Sequence, residues 1–270
     1  MARLLLLVTG GTLLMSASPQ GKRARVTFDE EKTSRDLLSE VPGLARIADL
    51  DTKLLMHLDS ANMQPSHWVT MARAIHEEIP KYDGIVVVHG TDTMAYSASA
   101  LAAMLGPLPK PVVFTGAQRP LSEVRTDAGQ NLIDAALVAT LPVPEVSIVM
   151  ASRALRGARS TKRDAWGFGA FDSPNCAPLV ELGVGVEVAP HVRASAPLAP
   201  LDDRLEPRVL VVRVFPGLDP ELVRGAIRVG VKGLVLEAYG TGTLPHVGGS
   251  LIPALEEARA RDVPVLVVSQ

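Results

Sequence analysis

The chain has 270 residues, a formal net charge of −2 and a single cysteine, Cys176. That length can bury one or two sizeable cores. The near-neutral charge argues against a broad nucleic-acid surface. One cysteine excludes a disulfide framework and a cysteine-rich metal site, and the six histidines show no HExxH or other close ligand pairing.

The first apolar run, residues 4–8, follows Met1-Ala2-Arg3 and mimics a signal peptide. It is too short for an h-region and runs into Gly10-Gly11-Thr12 without a small-residue cleavage site. No run approaches membrane-spanning length, so the expected location is the cytoplasm. Further apolar runs at 53–58, 85–88, 112–114, 146–150, 209–215, 234–236 and 265–268 read as strands. Helical patterns fall between them at 66–78, 94–105, 127–139, 220–230 and 249–261. Pro65 breaks the chain before the first helix, with Ser66 as its expected N-cap, and Pro264 stands just ahead of the last strand. The alternation predicts βαβ units and an α/β fold with a mostly parallel sheet flanked by helices.

Between 184 and 208 the pattern changes, with Pro190, Pro197, Pro200 and Pro207 among residues of no clear period. This reads as a linker. It divides the chain into a larger N-terminal catalytic domain, 1–183, and a smaller C-terminal α/β domain, 209–270. The second domain is expected to be cut short, since Gln270 falls at the carboxyl end of an apolar strand.

Two hydroxyl-bearing turns follow apolar runs directly: Thr9-Gly10-Gly11-Thr12, and His89-Gly90-Thr91-Asp92-Thr93. A third of the same kind is Thr115-Gly116-Ala117-Gln118-Arg119. Short apolar runs of this kind suit strands buried on both faces of a parallel sheet, whose ligands bind outside the carboxyl ends. Each turn alone also fits a tight strand-to-helix connection with a Thr N-cap. Together they predict parts of one polar pocket, with Thr12 and Thr91 as candidate nucleophiles. Asp92 is suited to charge recognition or to orienting a base. Familiar α/β alternatives are absent: Gly10-Gly11-Thr12-Leu13-Leu14-Met15 lacks the GxGxxG spacing, and there is neither a P-loop nor a GxSxG elbow. Asp59-Ser60-Ala61-Asn62-Met63 adds a hydroxyl to the same sheet edge, or is simply a turn. Thr161-Lys162-Arg163-Asp164 is a solvated basic stretch unless Lys162 lies near an Asp and a Thr. A desolvated lysine there can take a proton from a hydroxyl.

These motifs, with Asn131-Leu132 after Arg125-Thr126-Asp127, resemble the bacterial-type L-asparaginase family over residues 4–270. The stretch Pro120-Leu121-Ser122-Glu123-Val124-Arg125 resembles its cytoplasmic type I branch. The resemblance implies an asparaginase/glutaminase-like fold and hydrolysis of L-asparagine to L-aspartate and ammonia through a threonyl acyl-enzyme. It implies Thr12 as nucleophile and Thr91, Asp92 and Lys162 as the second catalytic cluster. Asp59, Ser60, Thr91, Asp92 and Ala117 would hold the substrate. No cofactor or metal is implied, and neither nucleic acid nor membrane is an expected partner. A homodimer or homotetramer is expected, with the smaller domain completing a neighbour's site. Glutaminase activity, an ammonia-releasing component of an amidotransferase, and a non-catalytic amino-acid binder are the alternatives. Three departures stand out. The lid after the first threonine motif has no tyrosine before Tyr82, Thr243 replaces the usual asparagine, and the family continues beyond Gln270.

Overall fold

Alternate residues of β1 (Ala2–Val8) serve two different cores. Leu4, Leu6 and Val8 face one cluster, and Leu5 and Leu7 face the other. Only a strand covered on both faces uses an unbroken apolar run in this way. In the computed structural model residues 1–11, 16–17, 23–24 and 37–270 are described. They divide into two units, Met1–Arg204 and Leu205–Gln270.

In the first unit β1 pairs in parallel with β2 (Ala48–Leu54) on one side and β3 (Gly84–Val88) on the other. The parallel ladder continues through β4 (Val112–Thr115) to β5 (Val146–Met150). Antiparallel β6 (Arg153–Arg156), β7 (Val180–Leu182) and β8 (Val186–Val188) extend the far edge. The order across the sheet is β8-β7-β6-β5-β4-β3-β1-β2. Helices α1 (Pro65–Glu78) and α2 (Met94–Leu105) cover one face. Met71 and Ile75 of α1 and Leu101 and Leu105 of α2 are buried there against Ile85, Val87, Val112 and Phe114. Helix α3 (Ala128–Ala139) covers the other face through Leu132, Ala135 and Val138. A fully buried side chain of this size contributes about 1.5–3 kcal/mol by leaving water. The fold is therefore α/β with a large, mostly parallel sheet, as the alternation of elements predicts.

Local expectations shifted in four places. The second strand lies earlier than 53–58, because β2 is an edge strand. Among the described residues it pairs only with β1, and it carries charge, including the Arg3–Asp51 and Lys53–Glu78 ion pairs at 2.6 and 2.8 Å. Charged side chains are how edges resist further pairing. Helix α1 is capped by Gln64 rather than Ser66, with Pro65 in the first turn. The Gln64 N–H donates to His67 Nδ1 at 2.9 Å, so a capping box closes two residues before the expected cap. Strands β6 to β8 were not expected at all. The β5–β6 hairpin turns through Ala151 and Ser152 at φ of 50° and 59°. Two α3 side chains hold that turn: Asn131 Oδ1 accepts from Ala151 N at 3.1 Å, and Asp134 Oδ2 accepts from Ser152 Oγ at 2.9 Å.

The fourth shift concerns 184–208. Most of this stretch is anchored on the first unit rather than spanning between units. It contains β8, and Leu198 and Leu201 pack against the α1–α2 core. Ala196 N and Asp202 N donate to Leu108 O and Met104 O at 3.1 Å each. The nearly buried Glu145 accepts from Arg156 Nε and Nη2 at 2.6 and 2.9 Å and from Arg193 N at 2.9 Å. The unit boundary falls after Arg204.

The second unit has three parallel strands, β9 (Val209–Arg213), β10 (Gly233–Ala238) and β11 (Val265–Ser269). Helices α4 (Pro220–Arg228) and α5 (Ile252–Ala260) complete it. Val223 and Ile227 of α4 and Ala254 and Ala258 of α5 share a core with Leu234 and Leu236. Asp219 caps α4 by accepting from Glu221 N at 2.9 Å. Among the described residues no helix is long and apolar enough to cross a membrane.

Candidate active site

The parallel strands run in the order β2-β1-β3-β4-β5. The chain reverses its direction of travel across the sheet between β1 and β3, and this switch point opens a crevice at the carboxyl ends. The turns after β1 and β3 flank it. Close backbone approach explains their glycines. Gly11 has φ of +100°, and a Cβ there would lie 2.7 Å from Gly90 N. A Cβ on Gly90 would lie 2.5 Å from Ser60 Oγ. The turns after β1, β2 and β3 thus touch one another directly.

Thr91 and Asp92 sit in the turn after β3. Lys162 comes from a two-residue strand, Thr161–Lys162, paired antiparallel with Phe171–Asp172. This small ribbon puts Lys162 Nζ 2.9 Å from Thr91 Oγ1 and 2.7 Å from Asp92 Oδ1. Lys162 thus lies near both an Asp and a Thr, and its side chain is 17% exposed against 64% for Asp92. The Asp92 carboxylate keeps a solvent-facing side, which suits a cationic ligand group. Asp92 and Lys162 line an open cavity of about 390 Å³ with Tyr96, Ser99 and Ser160.

Ser60 is buried below the Thr91 turn, and its carbonyl accepts from Thr93 Oγ1 at 2.8 Å. Asp59 is exposed and caps a short 3-10 turn by accepting from Ala61 N at 3.1 Å. Ala117 is buried in the turn after β4. Thr12 and residues 18–22 of the lid stretch lie outside the described residues. Among those described, no group of three or more His, Cys, Asp and Glu could hold a metal ion.

Five supporting residues, His89, Ser97, Trp68, Gln118 and Asp127, were given no role of their own from sequence. His89 is buried directly beneath the Thr91 turn. Its Nδ1–H donates to Gly90 O at 2.7 Å, so Nε2 is the acceptor of the Ser97 hydroxyl at 2.9 Å. Ser97 Oγ in turn accepts from Trp68 Nε1 at 3.0 Å. Burial pushes the His89 pKa down to about 4 against the opposing pull of the Gly90 bond, and the ring is neutral at physiological pH. Gln118 accepts the Thr91 hydroxyl at 3.1 Å. Asp127 accepts from Gln118 N and Arg119 N at 3.1 and 3.0 Å, fixing the turn after β4. The sequence signal for these residues was weak: a histidine and a serine within otherwise apolar segments, and a glutamine where the other strand-end turns carry hydroxyls.

A doubly wound sheet with a Lys–Thr–Asp cluster at its switch point defines an α/β protein with a polar small-molecule site. Comparison with known proteins specifies it further. Residues 3–193 match the asparaginase N-terminal family model, and residues 208–270 match the glutaminase/asparaginase C-terminal domain. The chain belongs to the asparaginase family. It is 36% identical to the L-asparaginase of Thermococcus kodakarensis, over 99% of this chain and 80% of that protein. The thermostable enzyme's structure superposes with a TM-score of 0.86. L-asparaginase 1 of Escherichia coli K12 is 40% identical over 79% of this chain and 64% of its own length. A glutamyl-tRNA(Gln) amidotransferase component from Pyrococcus abyssi is 34% identical, over 97% of this chain and 61% of that protein.

Proposed function

We propose that the chain hydrolyses the side-chain amide of L-asparagine, giving L-aspartate and ammonia, by way of a threonyl ester. The observation that carries this is the contact of Lys162 with both Thr91 and Asp92. Amide hydrolysis needs a nucleophile, a route for its proton and donors for the developing oxyanion. Thr12 is the proposed nucleophile. Its oxygen bonds to the amide carbon, the C–N bond breaks, and the amine leaves as ammonia with the hydroxyl proton. Water then attacks the ester and regenerates Thr12. Thr91, Asp92 and Lys162 move the proton in both half-reactions. Backbone N–H groups in the glycine turns supply the oxyanion donors. Asp92 and Asp59 receive the substrate's ammonium and carboxylate ends, Asp92 by direct pairing and Asp59 through its loop with Ser60. Ala117 lies beside the reacting amide. The protein is proposed to act in the cytoplasm as a homodimer or homotetramer, without a cofactor.

The second reading is release of ammonia from glutamine, alone or for a transamidating partner. The similarity to the Pyrococcus abyssi amidotransferase component supports it. One experiment separates the two: ammonia release from asparagine and from glutamine by the purified protein, beside its Thr12→Ala form. Release from asparagine that Thr12→Ala abolishes is the expected result. No release from either amide by the wild-type protein rejects hydrolysis.

A further inference from the structure

A threonine hydroxyl has one proton to give and two lone pairs to accept with. At Thr91 Oγ1, Lys162 Nζ occupies one lone pair, since an ammonium can only donate. The proton goes to Gln118 Oε1 at 3.1 Å. The orientation of the Gln118 amide follows from its other end, where Nε2 donates to Gly167 O at 3.1 Å and lies 3.5 Å from Ala165 O. A flipped amide would set oxygen against two carbonyl oxygens. The residue is also held through its backbone, because its N–H donates to both oxygens of Asp127 at 3.1 Å. Asn131 Nδ2 steadies that carboxylate at 3.0 Å and also donates to Gly116 O.

We propose that Gln118 is a positioning residue for Thr91. Its amide oxygen accepts the hydrogen bond of the Thr91 hydroxyl, which leaves one lone pair of that oxygen to accept from a third group, a water or the substrate. Without Gln118 the proton is free to turn toward the Asp92 carboxylate or the open side, and the lone pair is no longer presented in one direction. The bridge also spans the turn after β3 and segment 165–167, so it ties Thr91 to the loop that follows Lys162. In its kinetic part this rests on the amide-hydrolysis reading.

The test uses Gln118→Met, which matches the length without hydrogen bonding, and Gln118→Glu, whose protonated acid can accept from Thr91 and donate to Gly167 O. Loss of one such bond should lower kcat for asparagine about tenfold in Gln118→Met, with a smaller change in KM and an unchanged melting temperature. Gln118→Glu should approach the wild-type rate at the acid end of the pH profile and fall away as its carboxyl ionises against Gly167 O. A raised KM with kcat intact, or a Glu variant no better than Met at any pH, overturns the proposal. Wild-type protein that releases no ammonia overturns the hydrolysis reading instead. In that case neutron diffraction on deuterated wild-type crystals still decides. The Thr91 deuteron should point at Gln118 Oε1, and a deuteron directed at Asp92 or at solvent rejects the assignment.

Discussion

Lys162 Nζ donates to Thr91 Oγ1 at 2.9 Å across 71 residues of sequence, and the same ammonium reaches Asp92 at 2.7 Å. The contact depends on a ribbon of two residues per strand meeting the turn after β3. If it serves the chemistry, Lys162→Met should cost about 10³-fold or more in kcat. Stability should change little, because the partner carboxylate is largely solvated and such pairs contribute about 0–1 kcal/mol. Steady-state ammonia release and a thermal melt check both parts. A variant with ordinary turnover would reduce the contact to a surface ion pair.

Thr12 and Thr91 make a second pair of tests. Thr12→Ala should abolish turnover while circular dichroism and the melt stay as in the wild type, since the change removes only one hydroxyl and one methyl group. Thr91→Ala should also lose on the order of 10³-fold if it shares the proton route. Near-normal turnover in Thr12→Ala would remove it from the nucleophile's role.

The parallel part of the sheet was legible because its strands are apolar on both faces. Residues 4–8, 85–88 and 146–150 have no solvent side to encode. The edge elements were not legible for the converse reason. Strand β2 carries Asp49, Asp51 and Lys53, and β6 begins and ends on arginine, so neither looks apolar. The site divided similarly. Thr91 and Asp92 are announced by a glycine turn after a strand, whereas Ser60 stands in a turn without glycine and was legible only as one more hydroxyl at that edge. Lys162 was conditional until the fold brought it to Thr91. The Trp68–Ser97–His89 chain joins α1, α2 and the end of β3, and no local pattern marks such a route. Proline spacing suggested a linker at 184–208, but it does not reveal that Leu198 and Leu201 find a core.

The Glu145–Arg156 pair supplies a stability test away from the site. Burial pushes the Glu145 carboxyl up, but bonds and charge from Arg156 and Arg193 outweigh that and hold it below the usual carboxylate range. Arg156→Met would leave that carboxylate buried with weaker compensation. A loss of roughly 3 kcal/mol is expected, by analogy with broken buried pairs. Arg156 Nη2 also donates to His191 O at 2.9 Å, so the strap after β8 should loosen. Adding Glu145→Leu to Arg156→Met should restore part of the loss, because the stranded charge is gone. Urea unfolding of the single and double variants measures this, and a double variant less stable than Arg156→Met contradicts it.

His89 gives the pH dependence a definite window. Its pKa falls from 6.5 in the open chain to about 4 in the fold, chiefly through burial. The unfolded chain therefore binds the proton more readily between those values. The contribution of a neutral His89 is complete above about pH 6.5 and is lost progressively as the pH drops toward 4, a total of roughly 3 kcal/mol. Glu78 and Glu145 are held below the ordinary carboxylate range, so their losses come at lower pH still and do not mimic this slope. Protonation would also give Nε2 a hydrogen directed at Ser97 Oγ. That hydroxyl would have to turn its own proton away and accept from Nε2 beside the Trp68 bond, while Nδ1–H keeps its bond to Gly90 O. Urea midpoints taken from pH 7.5 to 4.5 should fall more steeply for the wild-type protein than for His89→Gln. The variant is less stable at neutral pH but lacks the one imidazole that the fold holds neutral by burial. Activity should be lost with the same midpoint as the structural change when the acid limb is followed by near-ultraviolet circular dichroism. Parallel slopes for the two proteins would mean that His89 does not titrate differently in the folded and unfolded states.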